Sequence, residues 1–240
     1  MNGQHPPTPA RSWFLGELAY AGRENLDAAH VARYDAKEDA SAAGEVALVT
    51  SMGIAGDSLV VEFGTGTGQF TVEIAQKCDR VIAVDVSALM LEALRGKIAR
   101  LGLSNVEVIQ AGFLTYEHLG KPADLIYSRL ALHHLPDFWK AIALARLRAM
   151  LRAGGLLRLW DVVYDFAPAE AEARLEAWFA SAGETVEAEW TRAELEEHVR
   201  DEHSTFSWLL EPMILRSGFE IELAEHSEDG IFAKYLLHAV

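Results

Sequence analysis

The stretch Val60-Val61-Glu62-Phe63-Gly64-Thr65-Gly66-Thr67-Gly68 restricts the fold more than any other part of the chain. A short apolar run ends in an acidic residue. Three glycines follow at alternate positions, and an amphipathic segment begins at Gln69. That order spells a strand, a tight turn and a helix. Glycine has no Cβ, so such a turn can adopt positive φ and a ligand can lie directly on its backbone. The helix start beyond it presents unpaired N–H groups. Two readings stand: a nucleotide-type cofactor lying over the turn, or a strand–helix connection that needs glycine for its own geometry. A glycine motif alone does not separate them.

The surrounding text extends the same alternation. Apolar runs at Leu59–Phe63, Arg80–Val84, Val106–Gln110, Ala123–Tyr127 and Leu156–Val163 read as strands. The segments Gly68–Lys77, Ala88–Leu101 and Phe138–Leu151 read as helices, the last ended by Gly154-Gly155. Strands alternating with helices predict a doubly wound α/β domain on a mostly parallel sheet. The strand runs are continuously apolar, as when helices cover both faces. Upstream, residues 12–55 are helical in character and form an N-terminal cap, with Asp27 placed to cap a helix; residues 1–11, with three prolines, read as a flexible leader. After Asp165 the strand pattern stops: Ala169–Glu202 holds eleven acidic residues against three arginines. Here Pro168 opens one helix, Thr191 and Glu194 form a capping box for the next, and Thr205–Arg216 is a third, interrupted at Pro212. Residues 165–207 are thus a helical, lid-like insertion. The runs Phe219–Ala224 and Ile231–His238 around Glu228-Asp229-Gly230 form a final hairpin.

Charge and cysteine content exclude several function classes. The formal net charge of the 240 residues is −15, and no Lys/Arg cluster is visible, so a nucleic-acid partner is disfavoured. Cys78 is the single cysteine, which removes intrachain disulfides and cysteine-based metal or iron–sulfur sites. With no signal-like segment and no long apolar run, the expected location is cytoplasmic, without a membrane partner.

Two further features carry chemistry. Asp85 ends the second strand about twenty residues past the glycines, where a carboxylate can accept both hydroxyls of a ribose; otherwise it serves as a favourable charge at a helix start. The stretch Ser128-Arg129-Leu130-Ala131-Leu132-His133-His134-Leu135-Pro136 follows the fourth strand, and ligand crevices in open α/β sheets lie at strand carboxyl ends. Adjacent side chains diverge, so one histidine is expected to hold the loop and the other to face the pocket.

Together these residues resemble the class I S-adenosylmethionine-dependent methyltransferases, in their small-molecule branch. Glu62 to Gly68 looks like the first motif of that family and Asp85 with Ser87, Met90 and Leu91 like its second. Leu151-Arg152-Ala153-Gly154-Gly155 looks like its turn before strand five, with Ala153 in place of a proline. The resemblance runs from about residue 55 to 165 and resumes at Gly218-Phe219. It implies a Rossmann-like seven-stranded mostly parallel sheet with an antiparallel C-terminal hairpin. It also implies methyl transfer from S-adenosylmethionine to a small-molecule acceptor by in-line displacement. The backbone of Gly64, Thr65, Gly66 and Gly68 would pass beneath the methionine part and Glu62 would support its amino group. Asp85 would hold the ribose, and Val86 and Met90 would pack on the adenine. Gly112 and Phe113 would meet the adenine edge, and Ser128 and Tyr34 would complete the site. Here the chain departs from the family: members commonly carry Gly-Asp after strand three, with the Asp on the adenine amino group, whereas this chain has Ala111-Gly112-Phe113. By position, His133, His134, Asp161 and Tyr164 are the candidate bases; Asp161 alternatively anchors a loop, and Tyr34 with Asp35 and Lys37 alternatively belongs to ordinary helix packing.

Absences narrow the acceptor. No Asn-Pro-Pro-Tyr or Asp-Pro-Pro-Tyr follows strand four, and no glutamate lies between Glu117 and Glu170, so the amino-directed nucleic-acid and arginine-directed branches are disfavoured. Ser128 and Arg129 stand where catechol-type enzymes place a metal carboxylate, and His198 and His203 are five apart, so no metal is expected. In the insertion, Trp178, Phe179, Trp190, Phe206 and Trp208 either wall the acceptor site or pack among themselves. A noncatalytic cofactor-binding protein and a nicotinamide-dependent oxidoreductase remain as rivals, the second at odds with Gln69 in the glycine spacing. A monomer or homodimer is expected.

Overall fold

The first strand, β1 (Leu59–Phe63), is buried at every position. In the computed structural model, which describes residues 12–22, 24–37, 42–183 and 190–240, that burial is shared between two apolar layers. Leu59, Val61 and Phe63 face one cluster with Trp139, Leu144 and Ile214; Val60 faces the other with Val49, Phe70 and Tyr127. Successive strand side chains point to opposite faces, so a continuously apolar strand requires a layer on each side.

Around β1 the sheet has the order β3-β2-β1-β4-β5-β8-β7. Here β2 is Arg80–Asp85, β3 Val106–Gln110, β4 Ala123–Arg129, β5 Leu151–Tyr164, β7 Phe219–His226 and β8 Phe232–Ala239. The strands β1 to β5 pair in parallel, and β8 runs antiparallel to both β5 and β7. This is the expected mixed sheet. An eighth, two-residue strand, β6 (Thr205–Phe206), adds a parallel pair to the end of β5, so the helix expected from Thr205 begins at Ser207 instead. The Gly154-Gly155 pair also plays a different part. The preceding helix ends at Met150, and the glycines form an irregularity within β5, between the pairs Ala123 with Leu151 and Leu125 with Leu156. Gly154 has φ +66°, and a Cβ on Gly155 would sit 3.0 Å from the Arg152 carbonyl, so the close backbone approach excludes a side chain.

The helices are α1 (Ala28–Lys37), α2 (Ala42–Ser51), α3 (Gln69–Ile74), α4 (Ala88–Leu101), α5 (Asp137–Met150), α6 (Ala171–Ala180), α7 (Arg192–Asp201) and α8 (Ser207–Arg216). Asp27 Oδ1 accepts from the His30 N–H at 2.8 Å, which caps α1 as its sequence predicts. The Thr191–Glu194 capping box starts α7, and Pro212 lies inside α8. A buried ion pair joins the N-terminal helices to the sheet: Arg158 of β5 donates to both carboxylate oxygens of Glu45 of α2, at 2.7 and 2.9 Å. The expected leader, residues 1–11, lies outside the described residues. Among the described residues no helix is long and apolar enough to cross a membrane.

Candidate active site

The carboxyl ends of β1, β2, β3 and β4 open into one pocket. Its wall includes Gly64, Gly66, Asp85, Val86, Met90, Gly112 and Phe113, with Tyr34 above and His134 at the β4 side. Gly64, Gly66 and Gly68 all have positive φ, between 53° and 83°. At Gly64 a Cβ would also collide with Ala131, which follows β4, so glycine there lets two strand ends close on each other. Gly68 serves packing: its missing Cβ makes room for Leu94 of α4, and it does not line the pocket.

Tyr34 reaches the turn from α1. Its ring lies 3.7 Å from where a Gly66 Cβ would be. Asp35 beside it fixes the helix: its carboxylate accepts from Thr67 Oγ1 at 2.5 Å and pairs with Lys97 at 2.5 Å. The Lys37 side chain lies outside the described residues.

Three carboxyl groups gather at the turn and the strand ends beside it, all with acidity suppressed by burial. Asp85 accepts from the Gly66 N–H and the Ser87 N–H, each at 2.8 Å, yet desolvation raises its pKa. Glu62 is buried behind the glycines rather than in the wall. It accepts from Thr71, whose hydroxyl also lies 2.6 Å from that of Thr65. Desolvation, with Asp85 nearby, pushes Glu62 up to about 8. Glu17, from a single 3-10 turn at Glu17–Tyr20, is the third, also raised by burial. Of the residues lining the pocket, Arg129 and His134 are the basic ones, and the Arg129 guanidinium lies over the Trp160 ring at 4.6 Å.

The two histidines divide as their adjacency predicts. His133 is turned away from the pocket. Its Nδ1 pairs with Asp161, its backbone N–H donates to the same carboxylate at 3.0 Å, and its Nε2 lies 2.8 Å from Glu202. Burial alone would lower its pKa, but Asp161 and then Glu202 outweigh that and hold it up to about 10. His134 lines the pocket, and burial together with the adjacent His133 charge pushes it down to about 3. Its ring is therefore neutral at physiological pH. Asp161 acts as the anchor of His133 and lies outside the wall, as do Thr65, Ser128 and Tyr164. The Ser128 hydroxyl is fully buried and has no hydrogen-bond partner among the described residues. The Tyr164 phenol is pushed up to about 12 by burial and packs against Phe166 and Phe206.

Sequence reasoning missed several of these groups. Glu202 of the insertion is the hub of the histidine cluster, with His198 Nδ1 at 2.8 Å and His134 Nδ1 at 3.5 Å. Capping-box and composition signals show a helix there but not what it touches. His198 thus groups with His133 and Glu202, not with His203, and these ligand-type atoms lie within 4.8 Å of one another. The 2.8 Å separations of Glu202 from His133 Nε2 and His198 Nδ1 are hydrogen-bonding distances. Leu130, in the wall, has φ +48°, a conformation costly for a branched side chain; its N–H donates to the Trp160 carbonyl at 2.8 Å. Of the aromatic residues of the insertion, Trp178 and Phe206 pack with Val162 and Ile231, Trp178 lying edge-on to Phe232, while Trp208 is exposed, and none lines the pocket.

Comparison with known proteins agrees with this geometry. Residues 60–155 match the family model of a methyltransferase domain. Over this stretch the chain is similar to methyltransferase domains, and it shares the fold of S-adenosylmethionine-dependent methyltransferases. An uncharacterized methyltransferase of Anoxybacillus flavithermus is 29% identical over 68% of this chain and 70% of its own length. One of Geobacillus kaustophilus is 32% identical over 44% of this chain, which spans about half of that relative, 47%. Among solved structures, the magnesium protoporphyrin IX methyltransferase of Synechocystis with bound S-adenosylmethionine shares the fold at a TM-score of 0.65 and 14% identity, over 96% of this chain and 100% of that one. A methyltransferase of Aquifex aeolicus does so at 0.61 and 17%, over 89% and 99%.

Proposed function

We propose that this chain transfers the methyl group of S-adenosylmethionine to a small-molecule acceptor. The observation that carries the reading is the group of buried carboxyls, Glu17, Glu62 and Asp85, in and behind the pocket wall at the glycine turn and the neighbouring strand ends. A ligand bearing an ammonium and a sulfonium relieves the cost of ionising them, whereas the pyrophosphate of a nicotinamide dinucleotide would add like charge. The bound cofactor supplies an activated methyl, so the chain has to bind, align and exclude water. Gly64 and Gly66 give the amino-acid end a backbone surface, Asp85 takes the ribose hydroxyls, and Val86 and Met90 give the base an apolar bed.

The histidine geometry bears on the acceptor. His133 has both ring nitrogens engaged, and His134 is too weakly basic to take a proton near neutrality. An acceptor atom that is already unprotonated and nucleophilic at neutral pH fits such a pocket; an alcohol that must lose its proton to a base does not. The insertion, through Glu202 on His133 and the His203 N–H on the His133 carbonyl at 3.0 Å, braces the β4 loop and makes a lid over the acceptor side.

The test is calorimetric titration with S-adenosylhomocysteine on the wild type and Asp85→Ala. Loss of charged hydrogen bonds weakens affinity by roughly 1–3 kcal/mol. Equal dissociation constants for the two proteins refute the ribose assignment, and no binding to either refutes the cofactor.

A further inference from the structure

The departure at Ala111-Gly112-Phe113 leaves the end of β3 without a side chain where an adenine would need an acceptor. The structure places another residue's carboxylate in that space. An ideal Cβ built on Gly112 falls on Glu17, 2.6 Å from Oε2 and closer still to Oε1 and the carboxyl carbon. The group that a longer residue at position 112 would project is thus supplied from the N-terminal segment. Gly112 in turn has to be glycine for Glu17 to enter.

Resting on the cofactor reading above, we infer that Glu17 is the acceptor for the exocyclic amine of the adenine and sets the specificity of the base site. The order of the sheet places the base. Strands β1, β2 and β3 are adjacent. S-adenosylmethionine is linear, with ribose between sulfur and base. With the amino-acid end on the β1 turn and the ribose at Asp85 on β2, the base lies over the end of β3. Glu17 lines the pocket there, beside Gly112 and Phe113.

Glu17 is also held for the task. It is 8% exposed. Its Oε2 accepts from the Leu114 N–H at 3.1 Å and from Thr115 Oγ1 at 3.1 Å, which fixes the carboxylate plane. Among the described residues no cation lies within ion-pair distance of it, and Arg146 acts on it only from further off, so a buried acid stands at the pocket wall without a direct ion-pair partner. A donor amine from a ligand satisfies it, while a carbonyl at the same ring position would set oxygen against carboxylate.

The experiment compares S-adenosylhomocysteine with S-inosylhomocysteine, in which the 6-amino group is replaced by a 6-oxo group, by calorimetry on the wild type and Glu17→Gln. The wild type should favour the adenine ligand by roughly 10- to 100-fold, the range of a hydrogen bond to a charged group. Glutamine keeps one oxygen for Leu114 and Thr115 and offers an amide donor, so E17Q should bring the two ligands within about threefold or reverse their order. Thr115→Val, which removes a bond to Glu17 but keeps its charge, should retain the discrimination. Equal binding of both ligands by the wild type overturns the assignment, whatever the variants do. Unchanged discrimination in E17Q also overturns it and leaves Glu17 as a brace of the 112–116 turn. Failure of the wild type to bind S-adenosylhomocysteine overturns the cofactor reading and this assignment with it, and is distinct from either result.

Discussion

Glu202→Gln removes the negative charge that the residue following α7 contributes to the buried histidines. In the folded protein His133 keeps its proton up to about pH 10, against about 6.5 for a free imidazole. Its folded pKa is raised, so the stabilisation is complete below about pH 6.5 and is lost as pH rises through about 10. Within that window one extra bound proton gives a slope of up to about 1.4 kcal/mol per pH unit. From pH 7 to 9 the wild type should therefore lose about 2–3 kcal/mol. An unfolding entropy of about 2 cal/mol/K per residue makes that roughly 5 °C in Tm for a chain of this length. In E202Q the Asp161 carboxylate remains, so the His133 pKa falls but stays above its free value, and the decline between pH 7 and 9 becomes shallower. At pH 7 the variant should also melt about 6–10 °C lower, since removing one partner of a buried pair costs roughly 3–5 kcal/mol. Calorimetric melts of both proteins from pH 6 to 10 supply the measurement. Two Tm curves that run parallel across this range would show that Glu202 does not hold the His133 proton, and the brace would be refuted.

Two other predictions join the Asp85 and Glu17 tests. Glu62, pushed up to about 8 in the free protein, should ionise when the ligand ammonium arrives; titrations at pH 7.5 in buffers of different ionisation enthalpy should show release of a fraction of a proton, and buffer-independent heats would refute it. Glu45→Gln leaves Arg158 buried with half its partner and should cost roughly 3–5 kcal/mol in denaturant melts, whereas a loss below about 1 kcal/mol would mean that Glu45 adds nothing to holding α2 on the sheet.

The local grammar of the chain was sufficient for the strand–turn–helix at Gly64–Gly68, for Asp85 at the end of β2, for the capping box at Thr191 and for the hairpin at the C-terminus. Each depends on φ preferences, side-chain alternation or hydrogen bonds within a few residues, and such forces are written in neighbouring letters. The same letters showed that two adjacent histidines diverge, but not which faces the pocket. That choice follows from Asp161 and Glu202 gripping His133 from β5 and from the end of α7. Gly154-Gly155 reads locally as a helix stop, and only pairing with β4 makes it an irregularity of β5.

Glu17 shows the limit most plainly. In sequence it is one acid in the N-terminal helical cap; the fold sets it in a short 3-10 turn, and the Leu114 N–H that it accepts is 97 residues away. Gly112 looked like a gap in a motif. The fold closes the gap because the N-terminal segment passes over the end of β3, a juxtaposition set by sheet order and packing rather than by any local preference. The methyl donor was thus legible in the glycine turn and Asp85, where the chemistry is made by residues close along the chain. The groups that select its base and brace the acceptor side are made by residues far apart, and only the tertiary structure brings them together.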